Sequence, residues 1–398
     1  MVASVCCAAL LASACAKDRV ETTSATSAAG SSGPASTTST TTAAARNDAP
    51  LAGFDEVAAM VDEFVTKNGL NGAGLVVVDA NDGVIAEHYT GVFGPDRVSL
   101  VASSSKMITA GVLMRLADQG SLDMDRPLAD AAPWGAGNPT ITAAQLVSNS
   151  SGLVGLSADD VYWPYACQYI AAGSLQECGT AIFTTAADDA DVIAPDTEFR
   201  YGGGQWQVAG ALAEAVSGKS WAQLINETYS TPCGLTSLGY NNHYAQIVSP
   251  QGAFAYPPQF DGSPAALKST DNPNMEGGAY ISPKDYASLL LMHLRGGRCG
   301  DEQVLSTAAV DRMHADRLKP AFNGTASGGQ GYGLGWWVSP EDPQRIQDGG
   351  SFGSVPWLDL GRGYGAYVVI EDTARAGERL ARKVRPLIET AIDQRNNG

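Results

Sequence analysis

Apolar residues recur at helical spacing near residue 54, and two strand-like runs follow them. The helical pattern ends at Asn68-Gly69, a common helix stop, and predicts a first helix over 54–68. Residues 74–79 read as a strand, 81–83 as a turn and 84–89 as the returning strand. The positions that carry the helical pattern are Phe54, Val57, Val61, Phe64 and Val65.

A long amphipathic run over 103–119, closed by Gly120, predicts a second helix. Further helical patterns cover 205–217, 219–229, 283–295, 305–315 and 374–394. Three strand-like runs lie between the last two of these helices, at 332–338, 355–360 and 365–371. Because helices fill the middle and strands lie at both ends, the pattern predicts an α+β fold whose sheet joins the two ends of the sequence.

The first residues predict export. Residues 1–15 are apolar and uncharged, too short a run to span a bilayer and the right size for a signal peptide. Leu-Ala-Ser-Ala-Cys at 11–15 is similar to a bacterial lipobox, so we expect a lipid on Cys15 and an extracytoplasmic, membrane-anchored protein; the alternative is a secreted protein. Residues 16–49 form a Ser/Thr-rich linker without apolar bulk, which predicts a disordered tether, and 50–398 form the globular domain.

The composition is that of a soluble globular protein. Hydrophobic residues make up 44% and charged residues 17% of the 398 residues, which excludes a disordered chain. The net charge of −17 repels phosphate-rich partners, so we do not expect nucleic acid as a partner. The four histidines lie far apart in the sequence, so no metal-binding motif can be drawn, and we expect no metal and no cofactor.

Four cysteines lie beyond the signal segment, and four cysteines allow three pairings. An exported chain favours disulfides over free thiols. We predict Cys167–Cys178, which closes a short loop, together with Cys233–Cys299; the alternative is that one or both pairs remain thiols.

Ser103 and Lys106 form an S-x-x-K motif at the head of the second predicted helix. Their spacing places both side chains on one helical face, and a helix N-terminus favours the anion that develops during acyl transfer. The lysine can take the serine proton if its surroundings depress its pKa. The alternative is an N-cap serine beside a solvated lysine.

The neighbourhood of this motif resembles a known family. Residues 100–128 are similar, nearly residue for residue, to the nucleophile helix of serine hydrolases related to class C β-lactamases, penicillin-binding D,D-peptidases and family VIII esterases. Residues 141–153 resemble the turn that ends H-x-S-G-L, with Asn149 for the histidine, and 332–336 the strand before the third motif. The resemblance runs over 54–394 and implies an antiparallel sheet flanked by helices, plus a mostly helical region.

Residues 199–203 resemble the segment that carries the family's Y-x-N motif. The resemblance implies that Tyr201 assists Lys106 as general base and protonates the leaving group, the alternative being a packed core tyrosine. Gly203 replaces the asparagine that helps to bind an acyl amide. The third motif falls at Gln347-Asp348-Gly349 or, one residue later, at Asp348-Gly349-Gly350. In either register the family's cation is missing and Asp348 adds a negative charge.

The oxyanion hole is expected at the backbone N–H groups of Ser103 and Gly350, the residue after the motif in the preferred register; in the other register Ser351 takes this place. Without a motif cation, neutral esters are favoured over β-lactams and D-alanyl peptides, whose carboxylate needs one. Arg200, Arg345 or Arg362 could compensate. The expected partner is therefore a small-molecule ester or acyl substrate.

Two rival interpretations remain. The sequence 349–353 matches G-x-S-x-G, but Pro356 follows too closely for a helix and no histidine occurs after His314, which argues against an α/β-hydrolase. A non-catalytic ligand-binding protein on the same fold is the other rival, because the motif Asn and cation are lost.

The insertion 155–199 is rich in aromatic residues, namely Tyr162, Trp163, Tyr165 and Tyr169. This concentration predicts either an apolar pocket wall or a satellite core.

Overall fold

A computed structural model describes residues 53–156, 161–243 and 256–397. The predicted signal segment 1–15 with Cys15, and the whole linker 16–49, lie outside the described residues. The centre of the fold is a seven-stranded sheet in the order β2-β1-β12-β11-β10-β9-β8, in which every described strand pair is antiparallel. Because β1 from the start of the domain pairs with β12 from its end, the predicted α+β fold is confirmed.

The strands fall into three sheets, of which the second has the order β3-β5-β4 and the third is β6-β7. The strands are β1 Gly72–Asp79, β2 Gly83–Gly91, β3 Ser99–Leu100, β4 Gly239–Tyr240, β5 Ala279–Ile281, β6 Arg298–Cys299, β7 Glu302–Gln303, β8 Gly331–Tyr332, β9 Trp337–Val338, β10 Arg345–Gln347, β11 Ser354–Asp359 and β12 Tyr364–Val369. The α-helices are α1 Asp55–Asn68, α2 Lys106–Asp118, α3 Ala143–Leu146, α4 Leu175–Thr184, α5 Gly203–Ser217, α6 Trp221–Ile225, α7 Thr231–Cys233, α8 Pro283–Leu294, α9 Thr307–His314, α10 Leu318–Phe322 and α11 Ala374–Asn397.

The central strand β1 is apolar on both faces, and the two faces belong to different cores. Leu75 and Val77 pack into a cluster with residues of α1 and α11, whereas Val76 and Val78 face the larger cluster that contains α2 and α8. Side chains alternate across a strand, so this run buries two sheet faces at once. Full burial of such a side chain contributes about 1.5–3 kcal/mol. The sheet is therefore a middle layer between two layers of helices.

The structure differs from the predicted elements in several places, and the predicted strand over 332–338 is two short strands, β8 and β9. The second helix begins at Lys106, after a one-turn 3-10 helix over Ala102–Ser105. The predicted helix over 219–229 is broken into α6 and a π-helical turn, Asn226–Ser230. Helix α4 was not predicted, although Ser174 caps it with a capping box, a signal readable in the sequence. Within the described ranges, no helix combines the length and the apolar character needed to cross a membrane.

The four cysteines beyond the signal segment lie in two close pairs. Cys167 and Cys178 have a Cα–Cα distance of 5.6 Å, and Cys233 and Cys299 one of 5.0 Å. Both distances fall in the range of disulfides. Of the three pairings that the sequence allows, the fold is thus compatible with the predicted one.

Two buried histidines meet in the helical layer. His293 on α8 and His314 on α9 are in contact, with 3.0 Å between Nδ1 of the first and Nε2 of the second, and both pack edge-on against Trp336. Burial lowers the pKa of His314 to about 4 and holds the pKa of His293 well below its usual value. Both imidazoles are therefore neutral in the folded protein at pH 7.

This histidine pair predicts a loss of stability in mild acid. The unfolded chain takes up protons on both histidines near pH 6.5, whereas folded His314 does so only near pH 4, so the free energy of unfolding should fall as the pH drops between these values. The slope should approach about 1.4 kcal/mol per pH unit for each histidine. Urea unfolding at pH 7 and pH 5 measures it. In the variant with His293→Gln and His314→Gln the slope should be shallower, and an unchanged slope would rule the pair out as its cause.

Candidate active site

Ser103 lies in the 3-10 turn that leads into α2. The residue before it, Ala102, has a φ of 46°, in the left-handed region that alanine rarely adopts, so the backbone is strained at this turn. Over 101–114 every residue is buried except Ser103, which is partly exposed. Within 101–114, the side chain that reaches solvent is thus that of Ser103.

The two serines that follow are bonded into the fold. The Ser104 hydroxyl donates to the Asp348 carbonyl at 2.6 Å. The Ser105 hydroxyl accepts a hydrogen bond from the Ala279 N–H on β5 at 3.0 Å. These bonds fix the turn between the central sheet and the small sheet, so Ser103 is the serine of the three that is placed to react.

Lys106 is fully buried beneath Ser103. Its Nζ donates to the Ser103 Oγ at 3.1 Å, to the Glu276 carbonyl at 3.0 Å and to the Glu276 Oε2 at 3.2 Å. Burial lowers the pKa of Lys106, and the Glu276 carboxylate, which forms an ion pair with Lys106 at 3.2 Å, raises it. Lys106 is therefore an ammonium in the resting site. We call Ser103, Lys106, Tyr201 and Glu276 the Ser103 cluster.

Tyr201 covers the other side of the lysine. Its ring centroid lies 4.5 Å from the Lys106 Nζ, and its hydroxyl interacts with Ser103. Burial raises the pKa of Tyr201, against the pull of the Lys106 charge, so Tyr201 is a neutral phenol. It is not a simple packed core residue, because its hydroxyl faces both members of the S-x-x-K motif.

Asn149 holds the tyrosine segment in place. Its φ is 55°, a conformation that asparagine tolerates, and it is fully buried. Its carbonyl accepts the Arg200 N–H at 2.7 Å, and its Oδ1 accepts hydrogen bonds from Gln205 and Trp206 on α5 at 3.0 and 2.9 Å. The residue that replaces the family's histidine is thus a clamp between the S-G-L turn and the segment that presents Tyr201.

Asp348 lies at the end of β10, and its side chain is fully buried. Its Oδ2 accepts the Met107 N–H at 3.1 Å, and burial raises the pKa of Asp348 well above its usual value. Burial thus favours the neutral form of this carboxyl group. No cation stands here, and the second side chain of the motif region, Gln347, instead accepts a hydrogen bond from Arg385 at 3.1 Å.

The turn after Asp348 bears on the register of the third motif. The Gly350 N–H, our expected oxyanion donor, donates to the Ser354 carbonyl at 2.7 Å, so this amide is committed to the turn. A Cβ at Gly350 would lie 2.0 Å from the Val101 carbonyl oxygen, which explains a glycine at this close approach, while a Cβ at Gly349 would lie 2.6 Å from Glu378 Oε1. These contacts favour the later register, Asp348-Gly349-Gly350, in which Ser351 follows the motif.

The three arginines that could replace the missing cation are engaged elsewhere. The Arg200 guanidinium donates to the Asp191 carbonyl at 2.6 Å. Arg345 and Arg362 share the Asp359 carboxylate at 3.3 and 3.0 Å. None of these side chains is thus available to receive a substrate carboxylate without breaking a bond that the structure contains.

Aromatic side chains line the site beside Tyr201, but most of them are not the residues of the insertion 155–199 that the sequence analysis named. Phe199 and Trp337 are partly exposed, with ring centroids 6.3 and 5.5 Å from that of Tyr201. Of the aromatic residues in the insertion, Tyr165 is core, bonded to Asp188, and Trp163 is 80% exposed. The insertion is thus mainly a satellite core, and its Tyr169 reaches the site, through a 3.2 Å hydrogen bond to Glu276 Oε1.

The antiparallel sheet, with a serine at the head of a buried helix and a lysine and tyrosine around it, defines the class of serine hydrolases that includes β-lactamases and penicillin-binding proteins. A family model described as Beta-lactamase matches residues 57–388, and the chain belongs to this family. AmpH of Escherichia coli K12, named a D-alanyl-D-alanine-carboxypeptidase/endopeptidase, is 27% identical over 350 residues, covering 79% of this chain and 83% of AmpH.

Two solved structures extend the comparison. A putative β-lactamase from Bacteroides dorei has a TM-score of 0.67 at 25% identity, covering 85% of this chain and 99% of that chain. EstCE1, described as a hydrolase with promiscuous acyltransferase activity, has a TM-score of 0.66 at 19% identity, covering 85% of this chain and 98% of that one, and shows the shared fold. The names of these three similar proteins state three different activities. The substrate class of this chain therefore has to be inferred from its own site.

Proposed function

We propose that the protein is a serine hydrolase that forms an acyl-enzyme on Ser103 and acts on neutral esters. The observation that carries the proposal is the partly exposed Ser103 hydroxyl with the Lys106 Nζ at 3.1 Å and the Tyr201 hydroxyl beside it. A non-catalytic descendant of the fold has no need to keep these three groups in contact. A fluorophosphonate probe tests the proposal: it should attach to Ser103 in the folded protein and not after heat denaturation.

In the proposed reaction Lys106 first releases one ammonium proton, and the Ser103 oxygen then attacks the carbonyl carbon of the ester while its proton passes to the Lys106 amine. The leaving alcohol then takes a proton from the Tyr201 hydroxyl, which is refilled from Lys106. Water attacks the acyl-enzyme by the same route and releases the acid. General acid–base transfer of this kind contributes about 10²–10⁴ in rate.

The backbone amides of Ser103 and Ser351 are the proposed oxyanion donors. In the described parts of the chain neither amide makes a hydrogen bond, whereas that of Gly350 does. The close approach of Gly350 to Val101 brings the loop with Ser351 next to the turn with Ser103. Removing one oxyanion donor from such a hole costs about 10²–10³ in kcat, so this pair is a major part of the proposed catalytic power.

Neutral substrates are favoured by charge and by shape. Asp348 supplies no cation at the third motif, Glu276 is paired with the Lys106 ammonium, and the three candidate arginines are bonded elsewhere. The exposed edges of Phe199 and Trp337 offer apolar surface next to Tyr201. D,D-peptidase activity is the second candidate function, and the similarity to AmpH is the observation that favours it.

We also infer that the protein is exported and that Cys167–Cys178 and Cys233–Cys299 are disulfides; anchoring through Cys15 remains a prediction. Protein from an oxidising compartment, denatured without reductant, should show no alkylation at these four cysteines by mass spectrometry. Replacing either pair by serines should lower the free energy of unfolding by about 2–4 kcal/mol. Complete alkylation before reduction would contradict both disulfides.

A further inference from the structure

Glu276, a residue in none of the family motifs, contacts the Ser103 cluster from the loop before β5. Its carboxylate Oε2 lies 3.2 Å from the Lys106 Nζ, and the side chains of the pair are 8% and 0% exposed. Its Oε1 accepts a hydrogen bond from the Tyr169 hydroxyl at 3.2 Å. Burial of a charge is costly unless it is paired, so this carboxylate is held at the lysine by both partners.

The loop that carries Glu276 is tied to the insertion by buried asparagines. The Asn242 and Asn274 side chains each donate to the Gln168 carbonyl at 2.9 Å. Asn274 Oδ1 also accepts the Gly277 N–H at 2.8 Å, next to Glu276. The carboxylate is therefore placed by a rigid support, which is what a functional group requires.

Gly203 leaves the space that Glu276 fills. A Cβ at Gly203 would lie 2.0 Å from Gln168 Oε1 and 2.3 Å from Glu276 Oε1. Gln168 Oε1 is buried and has no hydrogen-bond partner in the described residues. Position 203 is where the family pattern has an asparagine, and no side chain fits there while Glu276 and Gln168 keep their places. A side chain at position 203 would thus require both Glu276 and Gln168 to move.

Lys106 faces three ionisable groups, Tyr201, Glu276 and Asp348. Tyr201 is a phenol, and burial raises the pKa of Asp348 well above its usual value, which favours its neutral form. Glu276 is accordingly the carboxylate that balances the ammonium charge. An ammonium has no lone pair with which to take the Ser103 proton, so the resting pair needs an internal proton shift before Lys106 can act.

We propose that Glu276 is a positioning residue for Lys106 that takes one proton from its ammonium group and so frees the amine to accept the proton of Ser103. The inference rests on the proposed function. The shift turns ammonium and carboxylate into amine and carboxylic acid. The amine takes the serine proton as Oγ bonds to the carbonyl carbon, and Tyr201 passes that proton to the leaving alcohol. After deacylation by water, Glu276 returns its proton to Lys106.

The test is the pH profile of kcat/KM for p-nitrophenyl butyrate between pH 6 and pH 10 in Glu276→Gln. In the native enzyme Lys106 can pass its proton to Glu276 within the ion pair, without loss to solvent, so the profile should have a plateau in the neutral range. In the variant Lys106 has to lose its proton to solvent, so kcat/KM should fall by up to about tenfold per pH unit below the pKa that Lys106 has without this carboxylate, and by at least about tenfold in all between pH 10 and pH 6.

Two further variants complete the experiment. Glu276→Asp keeps a carboxylate and should restore the plateau, and Glu214→Gln, which removes a partly buried carboxylate on α5, should leave the native profile unchanged. A plateau in Glu276→Gln, at native or at reduced activity, would overturn the inference, because a purely structural loss does not create a rising limb. Fluorophosphonate labelling distinguishes failure of the proposed function from failure of the role of Glu276. A native enzyme that is not labelled contradicts the proposed function. A native enzyme that is labelled, together with a plateau in Glu276→Gln, contradicts the role of Glu276 alone.

Discussion

Replacing Ser103 by alanine is expected to lower kcat for p-nitrophenyl butyrate by at least about three orders of magnitude and to abolish fluorophosphonate labelling. The reason is that the hydroxyl is the atom that bonds to the acyl carbon, and its neighbours Ser104 and Ser105 are hydrogen-bonded into the turn. Initial rates and intact-protein mass spectra measure both effects. Because Ser103 is partly exposed, the variant should keep the native unfolding temperature.

Ser351→Ala is the matched control for this experiment. The serine belongs to the G-x-S-x-G run, so an α/β-hydrolase mechanism would lose its nucleophile here. In the proposed mechanism Ser351 contributes its backbone amide, which alanine retains, and labelling should persist. Labelling that disappears in Ser351→Ala and survives in Ser103→Ala would reverse the assignment.

The frame of the fold could be predicted because its burial pattern is local. The run from Gly72 to Asp79 is apolar on both faces, and its partners near the C-terminus repeat that pattern, so the sheet that joins the two ends could be inferred. Helix α4 has a readable cap at Ser174 and was still missed. The short strand β10 carries no such signal, because its three residues form a strand through pairing with β9 and β11.

The residues of the candidate site could likewise be predicted where they lie in a local sequence pattern, and not where they depend on tertiary contacts. Ser103, Lys106 and Tyr201 lie in sequence patterns, and the structure brings all three together. Glu276 is 170 positions from Lys106, in no motif, and its role depends on tertiary contact. The register of the third motif depends on one hydrogen bond, from Gly350 to the Ser354 carbonyl, which no pattern of residues shows.

The enzyme is expected to hydrolyse a neutral butyrate ester with a kcat/KM at least about ten- to hundredfold above that for the anionic β-lactam nitrocefin. A hydrogen bond to a charged group contributes about 1.5–3 kcal/mol to binding, and its absence for the β-lactam carboxylate corresponds to this ten- to hundredfold difference. In the described part of the chain the third motif carries Asp348 in place of a cation, and Arg345 and Arg362 are bonded to Asp359.

The comparison is made on one preparation, with a D-alanyl-D-alanine peptide as a third substrate and Ser103→Ala as the blank. The peptide has the same terminal carboxylate as the β-lactam, so both should be poor substrates for the same reason. Asp348→Lys should then raise nitrocefin turnover relative to the ester, because it adds a cation to the third motif. Efficient nitrocefin or peptide hydrolysis by the native enzyme would mean that another cation receives the carboxylate, and the preference for neutral esters would be wrong.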